Sequence, residues 1–499
     1  MIVMGCKTER PLVLTIDVGS SSVRAAIYDG NASRVPGLEA QLGHELVTSP
    51  DGGVTADAEH IAALVEQALD MVLAAAGDVA GDIAAVGMDT IASSVLGVDG
   101  DGSPVTPVYT YADTQPTAEV AALKRDLDVA QIYDRTGCPQ HTSYLPARIL
   151  WLRNTFPELS SRLSQWVDIG AFLYRRWFGR TVPMSYSMAS WTGMLDRRRL
   201  EWDAGLMEHL SLSADDLPPL ADHSSGQRGL APDYASRWPA LADVPFFLSI
   251  GDGAGANVGS GCVSAESVAL TVGTSGAMRM LVPDVAPRIP EGLWGYRLGD
   301  STLIGGSLTD GGSVYAWARD TLNLPKDDSK VEELLQSLPP GAHGISFLPL
   351  FSGERSPGWA ADATGVISGL RMSTKPIHIL QAALEAVAYR FDLVWRMLLP
   401  YVSHNCRIVA SGGALTGSPY WLQVMADVLG RTVTVCLEDE ATSRGTAILA
   451  LASLGLWSNL DVLPAALGET FEPDPHRTEL HRKLAKEQQM LYDRVIARK

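Results

Sequence analysis

One small pattern occurs twice in this chain: an apolar run, a turn of glycine and hydroxyl residues, then a second strand-like run. In the first copy the apolar stretch of residues 11–16 ends at Asp17, Val18-Gly19-Ser20-Ser21-Ser22 makes the turn, and residues 23–28 follow. In the second, residues 268–271 lead into Gly273-Thr274-Ser275-Gly276 and residues 277–282 follow. Both outgoing runs contain an arginine, Arg24 and Arg279. Each copy reads as a β-hairpin, because short apolar runs bounded by Gly and Ser are strand-forming and close on tight turns. A repeat this short also arises by chance. If it is genuine, the chain is a duplicated domain, and each copy opens on a hairpin whose tip can approach a ligand.

The rest of the chain fills in an α/β fold. Ile61, Leu64, Val65, Ala68, Leu69, Val72 and Leu73 recur at helical spacing across residues 58–75. Residues 83–88 and 94–98 read as strands, and residues 148–153, 171–177 and 206–210 as helices. Residues 217–245 are proline-rich and weakly periodic, so they read as a connection between lobes. A new phase begins near Phe246, which divides the chain into an N-terminal lobe, residues 1–245, and a C-terminal lobe, residues 246–499. A long helix over 377–399, a strand over 407–410, a glycine-rich turn over 411–417 and a helix over 419–429 continue the alternation of strands and helices.

Composition excludes more than it identifies. A chain of 499 residues exceeds one ordinary core and implies two or three domains. The formal net charge of −18 disfavours the nucleic-acid backbone as a partner, while a small phosphate ligand can still be held by backbone N–H groups. The five cysteines, Cys6, Cys138, Cys262, Cys406 and Cys436, are odd in number and lack a CxxC pair, so neither a disulfide framework nor a zinc site is expected. A reducing cytoplasm is the default. The first ten residues lack the apolar core of a secretory leader, and no apolar run reaches the ~18–20 residues that span a bilayer, so no membrane partner is expected.

Four segments have the residue types that phosphate chemistry needs. Asp17 ends a strand and precedes Gly19, Ser20 and Ser21; its carboxylate suits a magnesium ion or its waters, while the turn N–H groups suit phosphate oxygens. An ordinary Asx-capped turn would read the same way. Asp252 lies in Gly251-Asp252-Gly253-Ala254-Gly255, where small neighbours clear space around a carboxylate. It reads either as a helix N-cap or as a general base that takes a proton from an attacking hydroxyl, its ionised form favoured by the helix start. Gly273, Thr274 and Ser275 suit a second phosphate contact. In Ser411-Gly412-Gly413-Ala414-Leu415-Thr416-Gly417-Ser418-Pro419 a strand runs into a glycine pair and a helix, so the backbone either approaches a flat or anionic ligand or simply turns, with Ser418 as cap. No GxxxxGK[ST] and no GxGxxG after the first strand occur, which argues against P-loop and dinucleotide enzymes.

In this order the four segments resemble the FGGY carbohydrate kinases, over nearly the whole chain. The most specific element is Gly365-Val366-Ile367-Ser368-Gly369-Leu370, seven residues, then His378-Ile379-Leu380-Gln381-Ala382-Ala383-Leu384-Glu385. The family's other pattern is matched poorly, with Arg148 where a lysine is usual. The resemblance implies two ribonuclease H-like lobes of the actin, sugar kinase and Hsp70 superfamily around a cleft. It implies Mg2+ and ATP phosphates near Asp17, phosphate loops at Ser20–Ser21 and at Gly273, Thr274 and Ser275, and Gly312 beside the phosphates. It further implies Gly412 and Gly413 against the adenosine, Asp252 as base, and Asp113 as a substrate contact.

Segments such as Thr136-Gly137-Cys138-Pro139-Gln140-His141 and Gly353-Glu354-Arg355-Ser356-Pro357-Gly358-Trp359 look like the gluconate kinase branch, which adds His141 as a substrate contact. Gln115 stands where those relatives carry arginine, and Ser93 lies where they have an aromatic residue and histidine. The expected function is transfer of phosphate from ATP to a small sugar, sugar acid or polyol. Gluconate comes first and xylulose or another pentulose next, in a cytoplasmic enzyme for which a homodimer stays open. A catalytically silent sugar or nucleotide sensor on the same fold is the alternative.

Overall fold

A computed structural model describes residues 9–457 and 459–497. Cys6 and the other residues of 1–8 lie outside the described residues.

Two seven-stranded sheets carry the two halves of the chain, and the same strand order recurs in both. In the first, Leu12–Val18 pairs antiparallel with Ser22–Tyr28, which pairs with Arg34–Gly43; on its other side Leu12–Val18 runs parallel to Ile83–Thr90. In the second, Ser267–Val272 pairs antiparallel with Gly276–Val282, which pairs with Ser301–Leu308; on its other side Ser267–Val272 runs parallel to Arg407–Ser411. The hairpins read from sequence therefore occupy equivalent places, and the repeat is one of architecture. All seven residues of Leu12–Val18 are buried, as a central strand covered on both faces requires.

The first sheet takes in residues beyond position 245. Phe246–Phe247 and Ile250–Gly251 both run parallel to Ile83–Thr90, and Gly226–Gln227 pairs with Phe246–Phe247. Residues 217–245 are thus built into the wall of the N-terminal half and are not a free connection. Their prolines open short helical turns, Pro232–Arg237 and Pro239–Leu241, where a missing N–H costs nothing. Trp238, 1% exposed, packs edge-on against Trp177 with ring centroids 5.6 Å apart.

The helix Ala58–Ala76 is capped by Asp57, which accepts from the His60 N–H, and buries Ile61, Val65, Leu69 and Val72. Together with the turn after it, Ala58–Asp82 is long and apolar enough by composition to cross a bilayer, contrary to the sequence expectation. Here it serves as a core helix: even its charged residues are engaged by the fold, with buried Glu66 paired with Arg176 and Arg237, and Asp70 paired with Arg237. A smaller antiparallel sheet, from Val47–Thr48 to Gln165–Asp168, extends the N-terminal half and supports the loop of residues 110–115.

The halves meet where the helix Asp252–Gly259 crosses Ala441–Ser453. The contact is backbone on backbone. A Cβ on Gly259 would stand 1.7 Å from the Ala441 carbonyl oxygen, and one on Gly445 would stand 1.9 Å from that of Gly255. One hydrophobic cluster joins both halves here, combining Val13, Ala85, Ile250 and Ala254 with Ala447, Ile448 and Leu451. Cys138, Cys262, Cys406 and Cys436 are buried free thiols.

Candidate active site

Three carboxylates stand together at the carboxyl ends of neighbouring parallel strands, the edge where open α/β sheets place their ligands. Asp17 ends Leu12–Val18, Asp89 ends Ile83–Thr90, and Asp252 follows Ile250–Gly251. Asp17 and Asp89 share a register position, as do Thr90 and Gly251. Asp17 is buried and ion-paired across its hairpin with Arg24, at 3.0 Å. Arg24 also reaches Glu440, at 3.5 Å.

Asp89 was not anticipated from the sequence. It is wholly buried; its Oδ2 accepts from the Thr446 hydroxyl at 2.7 Å, and its Oδ1 has no partner. Burial, with Asp17 adding to it, holds its carboxyl well above the usual range. The signal was present: Met88-Asp89 ends an apolar strand just as Ile16-Asp17 does, but no glycine turn follows to draw attention to it.

Asp252 is the first residue of its helix, with Gly251 as the cap, so the N-cap reading does not hold. Its Oδ1 accepts from its neighbour's N–H, Gly253, at 2.7 Å and from Ala92 N–H at 3.3 Å. Burial pushes the carboxyl up to about 6; the Gly253 N–H and Arg279 oppose the rise and Asp17 adds to it. Burial therefore outweighs the helix start, opposite to the expected balance, yet the group is still mostly ionised at neutral pH.

Facing these carboxylates is the second hairpin. Gly273 N–H donates to Ser275 O at 3.0 Å, which closes the turn and leaves Thr274 exposed at its tip. The turn is tied to the helix Gly312–Thr321 by Gly312 N–H to Gly273 O, 2.7 Å, and Ser313 N–H to Thr274 O, 3.0 Å. On Gly312 a Cβ would stand 2.4 Å from Gly273 O and 2.5 Å from Ala414 Cβ, so three predicted segments converge. Gly412 is needed for its left-handed φ of 89° and for the approach of Val272 O, 2.5 Å from its absent Cβ. Gly413 and Gly273 have no such neighbour within 4 Å of that position, so both faces are open. Ser418 caps Pro419–Leu429, as the turn reading also required. In the first hairpin, Gly19 N–H to Ser22 O at 3.0 Å closes the turn that carries Ser20 and Ser21.

The residues expected from sequence to contact a substrate form a second group. Tyr111 is half-buried; burial raises its phenol, opposed by Arg355 and helped by Asp252. Asp113 is 1% exposed, with one oxygen accepting from Val54 N–H at 3.3 Å and the other from Gln115 N–H at 3.2 Å, so it holds the loop. Behind it, buried Arg148 donates to Thr110 O and stacks 5.6 Å from the Tyr109 ring centroid. Its Nε and Nη1 have no partner, and burial lowers it to about 10 against the pull of Asp113.

His141 takes Ser143 N–H on Nδ1 at 3.2 Å, and burial, reinforced by Arg355, drives it down to about 3. Of the two departures, Gln115 is turned to Asp51, at 2.7 Å, and Ser93 holds a left-handed φ of 56° with its hydroxyl on Trp191 O at 2.9 Å. The most family-specific segment is scaffold: Glu385 is buried among Gly341 N–H, His343 and the Tyr389 hydroxyl.

Comparison with known proteins gives this geometry its place. Residues 12–259 match the FGGY family of carbohydrate kinases, N-terminal domain, and residues 268–454 match its C-terminal domain. A gluconokinase of Bacillus subtilis (strain 168) is 27% identical, over 93% of this chain and 91% of its own. The solved structures of a ligand-bound xylulose kinase and a gluconate kinase from Lactobacillus acidophilus superpose with TM-scores of 0.89 and 0.88. Each is 25% identical, over 97% of this chain and 98% of its own. Two matched lobes, one strand order in both, and acid-bearing strand ends facing two hydroxyl-rich hairpins lead to one conclusion: the chain belongs to the FGGY family of carbohydrate kinases, enzymes that phosphorylate sugars from ATP.

Proposed function

We propose that the enzyme transfers the γ-phosphoryl group of Mg-ATP to a hydroxyl of a gluconate-like sugar acid, with Asp252 as general base. The observation that carries the reading is Asp252 itself: a carboxylate raised to about 6 at the start of a helix, near Asp17 and near Arg279 of the second hairpin. A base whose pKa lies just below neutrality is ionised at working pH and still basic enough to accept a hydroxyl proton.

In this reading Thr274, Ser275 and Gly273 on one side and Ser20 and Ser21 on the other position the phosphates, with Gly312 beside them. The open face of Gly413, next to Gly412, receives the adenosine. Asp17 would hold Mg2+, which spreads the charge on the transferring phosphate. The residues present fit: Asp17 is a hard oxygen donor in register with Asp89, whose Oδ1 has no partner, and Mg2+ takes most of its other ligands from phosphate and water. Asp113 and His141 would line the acceptor end. The cytoplasm, where ATP is made available, is its proposed location.

The gluconate assignment draws on the 27% identical gluconokinase and on the gluconate kinase structure. The xylulose kinase likeness at a TM-score of 0.89 favours a pentulose as the second reading. Because these relatives are kinases, they support catalysis over a silent sensor.

The test is ADP release from Mg-ATP across gluconate, other sugar acids, xylulose and glycerol, with Asp252→Asn in parallel. Turnover with gluconate that falls roughly 100- to 10,000-fold in the variant supports the proposal. ATP binding without acceptor-dependent turnover on any acceptor would revive the sensor.

A further inference from the structure

Of four arginines near the predicted site residues, Arg24 is ion-paired with Asp17, Arg148 donates to Thr110 O behind the Asp113 loop, and Arg279 donates to the Thr271 hydroxyl at 2.9 Å and is drawn by Asp252. Arg355 has no carboxylate partner among the described residues. Its guanidinium lies 5.5 Å from the Tyr111 ring centroid, and its Nε is buried without an acceptor.

Beside it stands His141. Ser143 N–H donates to Nδ1 at 3.2 Å and the Ser143 hydroxyl lies 3.0 Å from the same nitrogen; with Nδ1 accepting, the ring proton is assigned to Nε2, which has no protein partner among the described residues. Burial together with Arg355 keeps the ring neutral. Trp359 closes this end, edge-on to His141 with centroids 5.0 Å apart.

Two unanswered donors and one positive charge are therefore gathered at the acceptor end of the cleft. Desolvated donors need acceptors, and a lone guanidinium needs one negative charge. A carboxylate supplies two acceptor oxygens and a single charge in the planar shape a guanidinium fits. A neutral hydroxymethyl group leaves the charge unmet, and a phosphate brings about two negative charges to one cation.

Resting on the kinase reading above, we propose that Arg355, with the Nε2–H of His141 beside it, receives the carboxylate of a sugar-acid acceptor and sets the preference for acids over neutral sugars. The position where relatives carry an arginine holds Gln115, which is committed to Asp51. The cation comes instead from the opposite half of the chain, and Tyr111 is the surface on which it rests. A carboxylate bound there touches both halves at once.

The experiment uses gluconate and glucitol, which differ only in a carboxylate against a hydroxymethyl group, with wild type, Arg355→Gln and Arg355→Lys. ADP release gives kcat and KM, and calorimetry in the presence of ADP gives acceptor binding. Wild type is expected to favour gluconate over glucitol by roughly 10- to 100-fold in kcat/KM, the difference between a charged and a neutral hydrogen-bonded contact. In Arg355→Gln that ratio collapses through the KM for gluconate, and Arg355→Lys recovers part of it.

Equal losses on both acceptors would assign Arg355 to lobe structure and overturn the proposal. So would a wild type that phosphorylates xylulose or glycerol but ignores gluconate, an outcome that leaves the kinase reading intact. If no acceptor is turned over, the kinase reading fails. Calorimetry then decides the carboxylate site alone: gluconate binding lost in Arg355→Gln supports it, and absent binding in wild type overturns it.

Discussion

Asp17 and Asp89 stand side by side in register on two parallel strands, and Thr446, from a helix of the other half of the chain, holds Asp89 in place. One of these acids is paired with Arg24, and the other is buried with a bare oxygen.

Asp89 therefore makes stability depend on pH. Its carboxyl is raised in the folded protein above the unfolded value of about 4, so the stability it allows is complete below that value and is lost as pH rises toward the folded one. Asparagine keeps the acceptor for Thr446 and has no proton to lose. The Tm of Asp89→Asn, measured against wild type from pH 5 to pH 8, is expected to gain steadily. A constant difference would mean that Asp89 does not titrate in this window.

The acid limb of the rate profile should report Asp252. With its carboxyl at about 6, kcat/KM is expected to be flat above pH 7 and to fall about tenfold per pH unit below 6, as the protonated base loses its function. Steady-state ADP release between pH 5 and 8.5 checks this. A limb near pH 4 would mean that bound substrate or another group sets the profile.

Substitution at the helix crossing should unfold rather than inactivate. Gly259→Ala and Gly445→Ala each drive a methyl into a carbonyl less than 2 Å away, so losses of about 3 kcal/mol, the upper end for overpacking, are expected in urea unfolding. A variant that melts like wild type would show that the crossing is looser than described.

The glycine pair at the nucleotide end separates packing from binding. Gly412→Ala combines a positive φ with a close carbonyl and is expected to destabilise by about 1–3 kcal/mol. Gly413→Ala meets no protein atom, so its stability should stay within roughly 0.5 kcal/mol of wild type while the KM for ATP rises severalfold. Unfolding curves and ATP titrations on both variants check the pair. An unchanged KM for Gly413→Ala would move the adenosine elsewhere.

The hairpins, the long helices and the acids Asp17 and Asp252 were legible in the sequence because each is written locally, in a few neighbouring residues. The strands Phe246–Phe247 and Ile250–Gly251 were not, since two-residue strands carry no periodicity and their partner, Ile83–Thr90, lies far back in the chain. The helix Ala58–Ala76 was read correctly as a helix, but the pairing of its buried Glu66 depends on Arg176 and Arg237, which only the fold brings to it. His141 and Arg355 were visible as residue types, whereas their neighbourhood around Tyr111 required the two halves to be assembled. The direction of the Asp252 shift was misjudged because a helix start is visible in sequence and the depth of burial is not.

The glycine crossing has a mechanical meaning. Asp252 is seated on one of the two helices and Thr446, the grip on Asp89, on the other, and carbonyl oxygens rather than side chains set their clearance. Side chains cushion a contact by changing rotamer; backbone does not. Displacing one helix against the other would therefore change the spacing between the acids directly, so the crossing is a hard stop that fixes where Asp252 and Asp89 stand.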